Sequence, residues 1–375
     1  MSQFLGLILS ISEVWLGPCG IGCEGGVAPV KFLIDILHPK HVHFFRPLMK
    51  RWQDRGHELK IVTRDKDITH QLLDLFSIPY ICLSKQKTGL GLAQELLKRW
   101  CKLTIMLRNY RPDIVLSIGG ITTSLPSRVF GIPNIALTDT ETASLSNTIA
   151  FPFADRVLTP EWFAKDFGRR HYRYRSFHEW SYLHPNEFIP DPELVKDEGI
   201  DPDQPYAVVR FVRWDAVHDQ GEEGFSADDA TRLIEQLSLR MKVVLTTETP
   251  PPEALRKFAS GIRIDRMHHV MAFARLVVGE SPSMCAEAAL MGVPSVLASS
   301  WAGECGNMKV LSDRFGLMEV YDRGADAVVA AIAMAKMPPS REHMRKQRDR
   351  LVESLDYIPE MIEGHIRDLT RGKDV

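Results

Sequence analysis

The sequence predicts two doubly wound α/β domains facing a cleft. Three observations carry this. Short apolar strands alternate with amphipathic helices throughout residues 30–340, the pattern of parallel sheets covered on both faces. The alternation is interrupted by a stretch rich in Pro, His and aromatics, Pro160 to Pro205. The length, 375 residues with 45% hydrophobic and 25% charged, suits two domains of ordinary size and excludes disordered and fibrous classes.

In the first half, strands are expected at Val30–Ile36, Glu58–Thr63, Tyr80–Leu83, Asp113–Ile118, Asn134–Leu137 and Arg156–Leu158. Helices are expected at Phe44–Arg55, Ile68–Phe76, Leu92–Asn109 and Leu125–Phe130. In the second half, strands are expected at Tyr206–Phe211, Val243–Thr246, Leu276–Val278 and Ser295–Ala298, with helices at Ala227–Arg240, Glu253–Phe258, Met284–Met291, Ala325–Met337 and Arg341–Ser354. The domain plan is a first domain at 30–175, an interdomain segment at 176–205, a second domain at 206–340 and closing helices at 341–375. Ligands of such sheets bind beyond the carboxyl ends of the strands, so the cleft is the expected site.

Residues 1–29 read as an extension, disordered or non-native. Their apolar run lacks the positive start of a secretory signal and the roughly 20 apolar residues of a membrane span. Gly20, Gly22 and Gly25 spell a dinucleotide fingerprint, but they precede the first strand rather than follow it. Forty-six basic residues against 48 acidic ones give no bulk attraction to nucleic acid. The run from Arg169 to Arg175 interleaves arginine and aromatics and is a candidate contact for an anionic lipid or acceptor; no nucleic-acid motif accompanies it. The six cysteines form no CxxC pair and read as reduced thiols, so a cytoplasmic protein without a metal site is expected.

The sharpest local signal is Leu276 to Met291. A buried strand passes through Gly279-Glu280-Ser281-Pro282-Ser283 into a helix that stops at Gly292, with Pro294 beyond. Amides from Ser281 through Ser283 to Met284 at the helix start suit a diphosphate, and Glu287 one turn on suits a ribose diol or the helix dipole. A serine nucleophile elbow is excluded here, because the residue after Ser281 is Pro282, which has no N–H for an oxyanion hole.

These residues, with Asp35-Ile36-Leu37-His38-Pro39-Lys40-His41-Val42-His43, Asp139-Thr140-Glu141 and the segment Tyr206 to Asp219, resemble the DUF354 family of predicted glycosyltransferases. The resemblance covers about residues 30 to 370 and extends distantly to MurG-like N-acetylglucosaminyltransferases and UDP-GlcNAc 2-epimerases. It implies a GT-B-like fold of two Rossmann-like domains. It implies transfer of a sugar from a nucleotide-sugar donor, a UDP-sugar, to a glycan or glycolipid acceptor in surface polysaccharide synthesis. A UDP-sugar 2-epimerase-like or hydrolysing enzyme, or a non-catalytic polysaccharide-binding protein, is the alternative. No cofactor or metal is expected, since the nucleotide sugar is the substrate. Peripheral contact with the inner face of a membrane would suit a lipid-linked acceptor.

Within that frame His41, Asp139 and Glu141 are the catalytic candidates, as groups able to take a proton from an acceptor hydroxyl. His38, His43, Gly119, Gly120, Glu304 and Asn307 are candidates for acceptor or sugar contact, with the histidines expected on a loop facing the cleft. Arg210 and Arg213 are candidates for neutralising the departing diphosphate, and His269 for holding the nucleotide base. Helix caps, tight turns and surface ion pairs use the same residue types.

Overall fold

A computed structural model describes residues 28–141, 144–212 and 224–373. The first sheet has seven strands: β1 Lys31–Ile36, β2 Glu58–Asp65, β3 Ile81–Lys85, β4 Ile114–Ile118, β5 Asn134–Leu137, β6 Arg156–Pro160 and β7 His171–Tyr174. Their spatial order is β3-β2-β1-β4-β5-β6-β7, and every neighbouring pair is parallel. The second sheet has five: β8 Tyr206–Phe211, β9 Lys242–Thr247, β10 Leu276–Gly279, β11 Ser295–Ala298 and β12 Met318–Tyr321, ordered β12-β11-β10-β8-β9 and likewise parallel. Strands buried on both faces must be apolar at nearly every position, and β5, β10 and β11 are buried throughout.

The first half carries α1 Pro39–Asp54, α2 Thr69–Leu75, α3 Leu90–Tyr110, α4 Ser124–Val129 and α5 Ser144–Ala150. The connection holds α6 Trp180–Leu183 and α7 Pro192–Lys196. The second half carries α8 Ala227–Ser238, α9 Met267–Phe273, α10 Pro282–Leu290, α11 Gly306–Lys309, α12 Gly324–Lys336, α13 Arg341–Val352 and α14 Ile358–Leu369.

Four departures from the sequence reading bear on the site. First, α1 begins at Pro39, not Phe44. His38 is its N-cap, with Nδ1 accepting from the Lys40 amide at 3.2 Å, and Pro39 takes the first helical position, where its missing N–H costs nothing. His41 and His43 therefore stand on a helix rather than a loop. Second, part of the Arg169 to Arg175 run is β7, the edge strand of the first sheet. Third, the interdomain segment, which showed no clear periodicity, is packed: Phe177, Trp180, Tyr182 and Leu183 are buried in one cluster with Cys285, Ala286, Ala289 and Leu290 of α10. Fourth, the closing helices divide. Met344 and Leu351 of α13 pack with α10, whereas Ile358, Ile362 and Ile366 of α14 lie in the core of the first sheet with Phe32, Ile34 and Trp52. All three isoleucines are fully buried, and each contributes about 1.5–3 kcal/mol.

Candidate functional site

In each sheet the chain starts at an inner strand, winds out one way and then returns to wind out the other. The reversal falls between β1 and β4 in the first sheet and between β8 and β10 in the second. A crevice opens beyond the carboxyl ends of such strand pairs, because their connections diverge to opposite faces.

At the first crevice β4 ends in Gly119 and Gly120, with φ of 88° and 64°. Both values lie in the left-handed region that favours glycine. A Cβ on Gly120 would also sit 2.6 Å from Ser124 Oγ. The loop is pinned from within: Thr122 Oγ1 donates to Asp35 Oδ2 at 2.9 Å, and the Arg99 guanidinium of α3 pairs with Asp35 Oδ1. Asp35 and Arg99 are both fully buried.

Above that floor lies a second group of charges. Lys40 Nζ is 2.6 Å from Asp139 Oδ2 and 2.8 Å from Glu179 Oε1, while His178 Nδ1 is 3.3 Å from the same Asp139 oxygen. Burial pushes the His178 imidazole down to about 4, so it is neutral at pH 7. His41 is likewise held well below its ordinary value, by burial and then by His38 and His178, and its Nδ1 accepts from the Leu37 amide at 3.3 Å. One ammonium thus faces two carboxylates. Burial opposes ionisation of Asp139, but His178, which is protonated at the low pH where this carboxyl titrates, and Lys40 outweigh it and hold the carboxyl below the usual range. Glu179 moves the other way: burial raises it, and the Asp139 charge adds to the rise despite Lys40.

At the second crevice Ser281 caps α10, with Oγ accepting from the Met284 amide at 3.4 Å. Glu280 accepts from the Val212 amide at 2.9 Å and the Phe225 amide at 2.8 Å, tying β8 to the start of α8. Glu287 is buried, and its Oε1 accepts from Tyr182 OH at 2.6 Å and lies 3.1 Å from His268 Nε2. The His268 ring meets His43 of α1 edge-on at 4.9 Å. Tyr182 of the connecting segment and His268 of α9 thus meet on Glu287 of α10, and His43 brings α1 against them by ring contact.

A family model described as "Protein of unknown function (DUF354)" matches residues 30–323. This chain belongs to the DUF354 family. A relative described as "Uncharacterized protein MJ0665", from Methanocaldococcus jannaschii, is 26% identical over 282 residues, covering 70% of this chain and 80% of the relative. Among solved structures, the S. aureus MnaA–UDP complex superposes with a TM-score of 0.67 at 12% identity, covering 91% of this chain and 97% of that one. The Neisseria meningitidis UDP-GlcNAc 2-epimerase bound to UDP-GlcNAc gives 0.61 at 12% identity, covering 90% and 99%. Acinetobacter baumannii MurG gives 0.56 at 16% identity, again covering 90% and 99%. The DUF354 chain thus has the GT-B fold.

The fold of this DUF354 protein brings most of the sequence candidates to the two crevices. His38, His41 and Asp139 surround Lys40, and His43 joins Glu287 through His268. Glu141 reaches across to the second half, where Oε1 accepts from the Gly306 amide at 3.1 Å; its Oε2 is buried without a hydrogen-bond partner among the described residues. Asn307, next to Gly306 in sequence, is buried with Oδ1 turned to its own helix at the Met308 amide, whereas Glu304 is exposed.

Other expectations are modified. Arg210 is paired with Glu248 at 3.0 Å, and His269 accepts from the Asp191 amide at 3.0 Å. The anion grip at α10 is narrower than expected, because Pro282 has no N–H and Ser281 takes the Met284 amide; Ser283 is left as the first-turn amide for a ligand. Arg213 lies outside the described residues, as do the fingerprint glycines, Cys19 and Cys23. The arginines at β7 are engaged internally. Arg170 holds the Pro152 and Ala154 carbonyls, Arg173 those of Glu161, Phe163 and Lys165, and Arg175 the Glu161 carboxylate. Lys40, His178, Glu179 and Tyr182 were not singled out from sequence. Their signal was the His178-Glu179 pair inside a stretch read as connection only.

Proposed function

We propose that this protein transfers a sugar from a nucleotide sugar, a UDP-sugar, to a hydroxyl acceptor of a glycan or glycolipid, in the cleft between its two sheets. The observation that carries this is that two buried polar clusters, Lys40–Asp139–Glu179 at one switch point and Tyr182–Glu287–His268 at the other, meet on the one connecting segment that holds both Glu179 and Tyr182. In this reading Glu287 and the start of α10 hold ribose and diphosphate. The acceptor oxygen attacks the anomeric carbon as the bond to the diphosphate breaks. Glu141 is the best placed base: one oxygen is anchored by Gly306, and the other has no hydrogen-bond partner among the described residues to lose when it takes the acceptor proton. Asp139 suits that task less, since a carboxyl held low by Lys40 and His178 is a weak base.

The test is a thermal-stabilisation panel of UDP, GDP, TDP, CMP and their sugars, with and without EDTA. Selective stabilisation by uridine compounds that EDTA leaves unchanged is expected. Glu287→Ala should weaken UDP binding by about 1–3 kcal/mol, since a hydrogen-bonded charge is lost; a folded variant with unchanged affinity removes Glu287 from the donor site. Glu141→Gln should lower turnover about 10²–10⁴-fold with donor affinity retained, and full turnover would exclude it as the base. A second reading, conversion of the nucleotide sugar without an acceptor, is favoured by the carboxylates and neutral histidines gathered in one buried cluster. Products formed from donor alone would decide for it.

A further inference from the structure

Arg170, Arg173 and Arg175 are engaged within the chain, and a second basic surface lies on α3. This helix is 21 residues long and packs one face on the first sheet. Its buried stripe is Glu95, Arg99, Leu103 and Leu107, four residues apart. A second stripe of the same spacing, Leu97, Cys101 and Ile105, lies two residues out of phase. At 100° per residue it stands on the opposite, outward face. Leu97 is 63% exposed and Ile105 61%, and Cys101 is exposed between them. A surface helix ordinarily carries polar residues at these positions.

The charges around this stripe share one sign. From Gln86 to Arg111 the sole acidic residue is Glu95, which is buried and held by Arg64. Lys87, Lys98, Lys102, Arg108 and Arg111 are all exposed. Lys98 flanks the stripe on one side, with Lys102 behind it donating to the Leu83 carbonyl at 2.9 Å, and Arg108 continues the stripe one turn on. An apolar crest flanked by lysines, with no exposed acid, matches a surface that is apolar inside and negative at its boundary. A soluble protein partner would need no such uniform charge.

We propose that the outward face of α3 is a membrane-docking surface for anionic lipid. Leu97 and Ile105 enter the acyl boundary while Lys98 and Arg108 meet lipid phosphates. This does not rest on the transferase reading, because bilayer binding is measured without donor or acceptor.

The experiment is co-sedimentation of the full chain with phosphatidylglycerol–phosphatidylcholine vesicles and with pure phosphatidylcholine vesicles. Binding to the mixed vesicles is expected, with little to the neutral ones. It should weaken as salt rises from about 0.1 M to about 1 M, where the screening length falls from about 10 Å to 3 Å. Leu97→Ser/Ile105→Ser should lower partitioning at least about tenfold, and Lys98→Gln about fivefold. These side chains are exposed, so the variants keep the wild-type melting temperature. Wild-type protein left in the supernatant, or binding indifferent to the double variant, would overturn the proposal. So would a dimer in sedimentation velocity that the double variant abolishes, since the stripe would then be an interface between copies.

Discussion

His178 shows how a single side chain reports its surroundings. It is fully buried, with its ring 4.7 Å from that of Phe44, and holds its proton only below about 4, against 6.5 in an unfolded chain. A depressed value favours the folded state above the unfolded pKa, and that contribution is lost as pH falls toward the folded one. Acidification from pH 7.5 to 5.5 should therefore cost about 1 kcal/mol through His178 alone. His38 and His365, also near 4, act with the same sign, while Glu179, raised by burial, acts against them. Urea midpoints across this range should fall less steeply in His178→Phe, and an unaltered slope would show that the imidazole is not the titrating group. Residue-scale legibility was uneven for a physical reason. Gly119, Gly120 and Ser281 answer local backbone demands, which a short stretch of sequence displays. Lys40 and Glu179, which meet Asp139 from distant parts of the chain, take their meaning from a meeting that only the tertiary fold arranges.

Among the elements, the strands were the most legible, because a strand buried on both faces allows little besides apolar residues. Where the reading went astray, two periods or two purposes overlapped. The start of α1 was hidden by Pro39 and by histidines that suggested a loop, although a proline at the first helical position is itself a start signal. β7 was hidden by arginines that bind backbone carbonyls rather than solvent. The element with most at stake is α14. Ile362→Ala should cost about 2–5 kcal/mol, the range for truncating a core side chain. Urea denaturation measures it; a loss under 0.5 kcal/mol, the scale of an ordinary surface change, would place α14 outside the core of the first sheet.

For the whole molecule, the two sheets are coupled by more than a connection. Residues 177–183 are buried against α10, Tyr182 is bonded to Glu287, and α14 returns to the first sheet. Calorimetry should accordingly show one cooperative transition for the full chain, and two resolved transitions would mean that the halves fold independently. The GT-B architecture was legible from the alternation of elements and from the motifs at Leu276 to Met291. The course of the chain's end was not, since helical periodicity shows that α14 has an apolar face but not which sheet receives it.

That crossing also orders events during synthesis. The last strand of the first sheet ends at Tyr174, and the helix that covers that sheet ends at Leu369. At 5–20 residues per second, about 200 residues of translation separate them by roughly 10–40 s. The later-made half is nearly contiguous and closes first, while the earlier-made half waits on the ribosome with part of its apolar floor uncovered. A nascent chain stalled near residue 340 should thus be the form most in need of a chaperone.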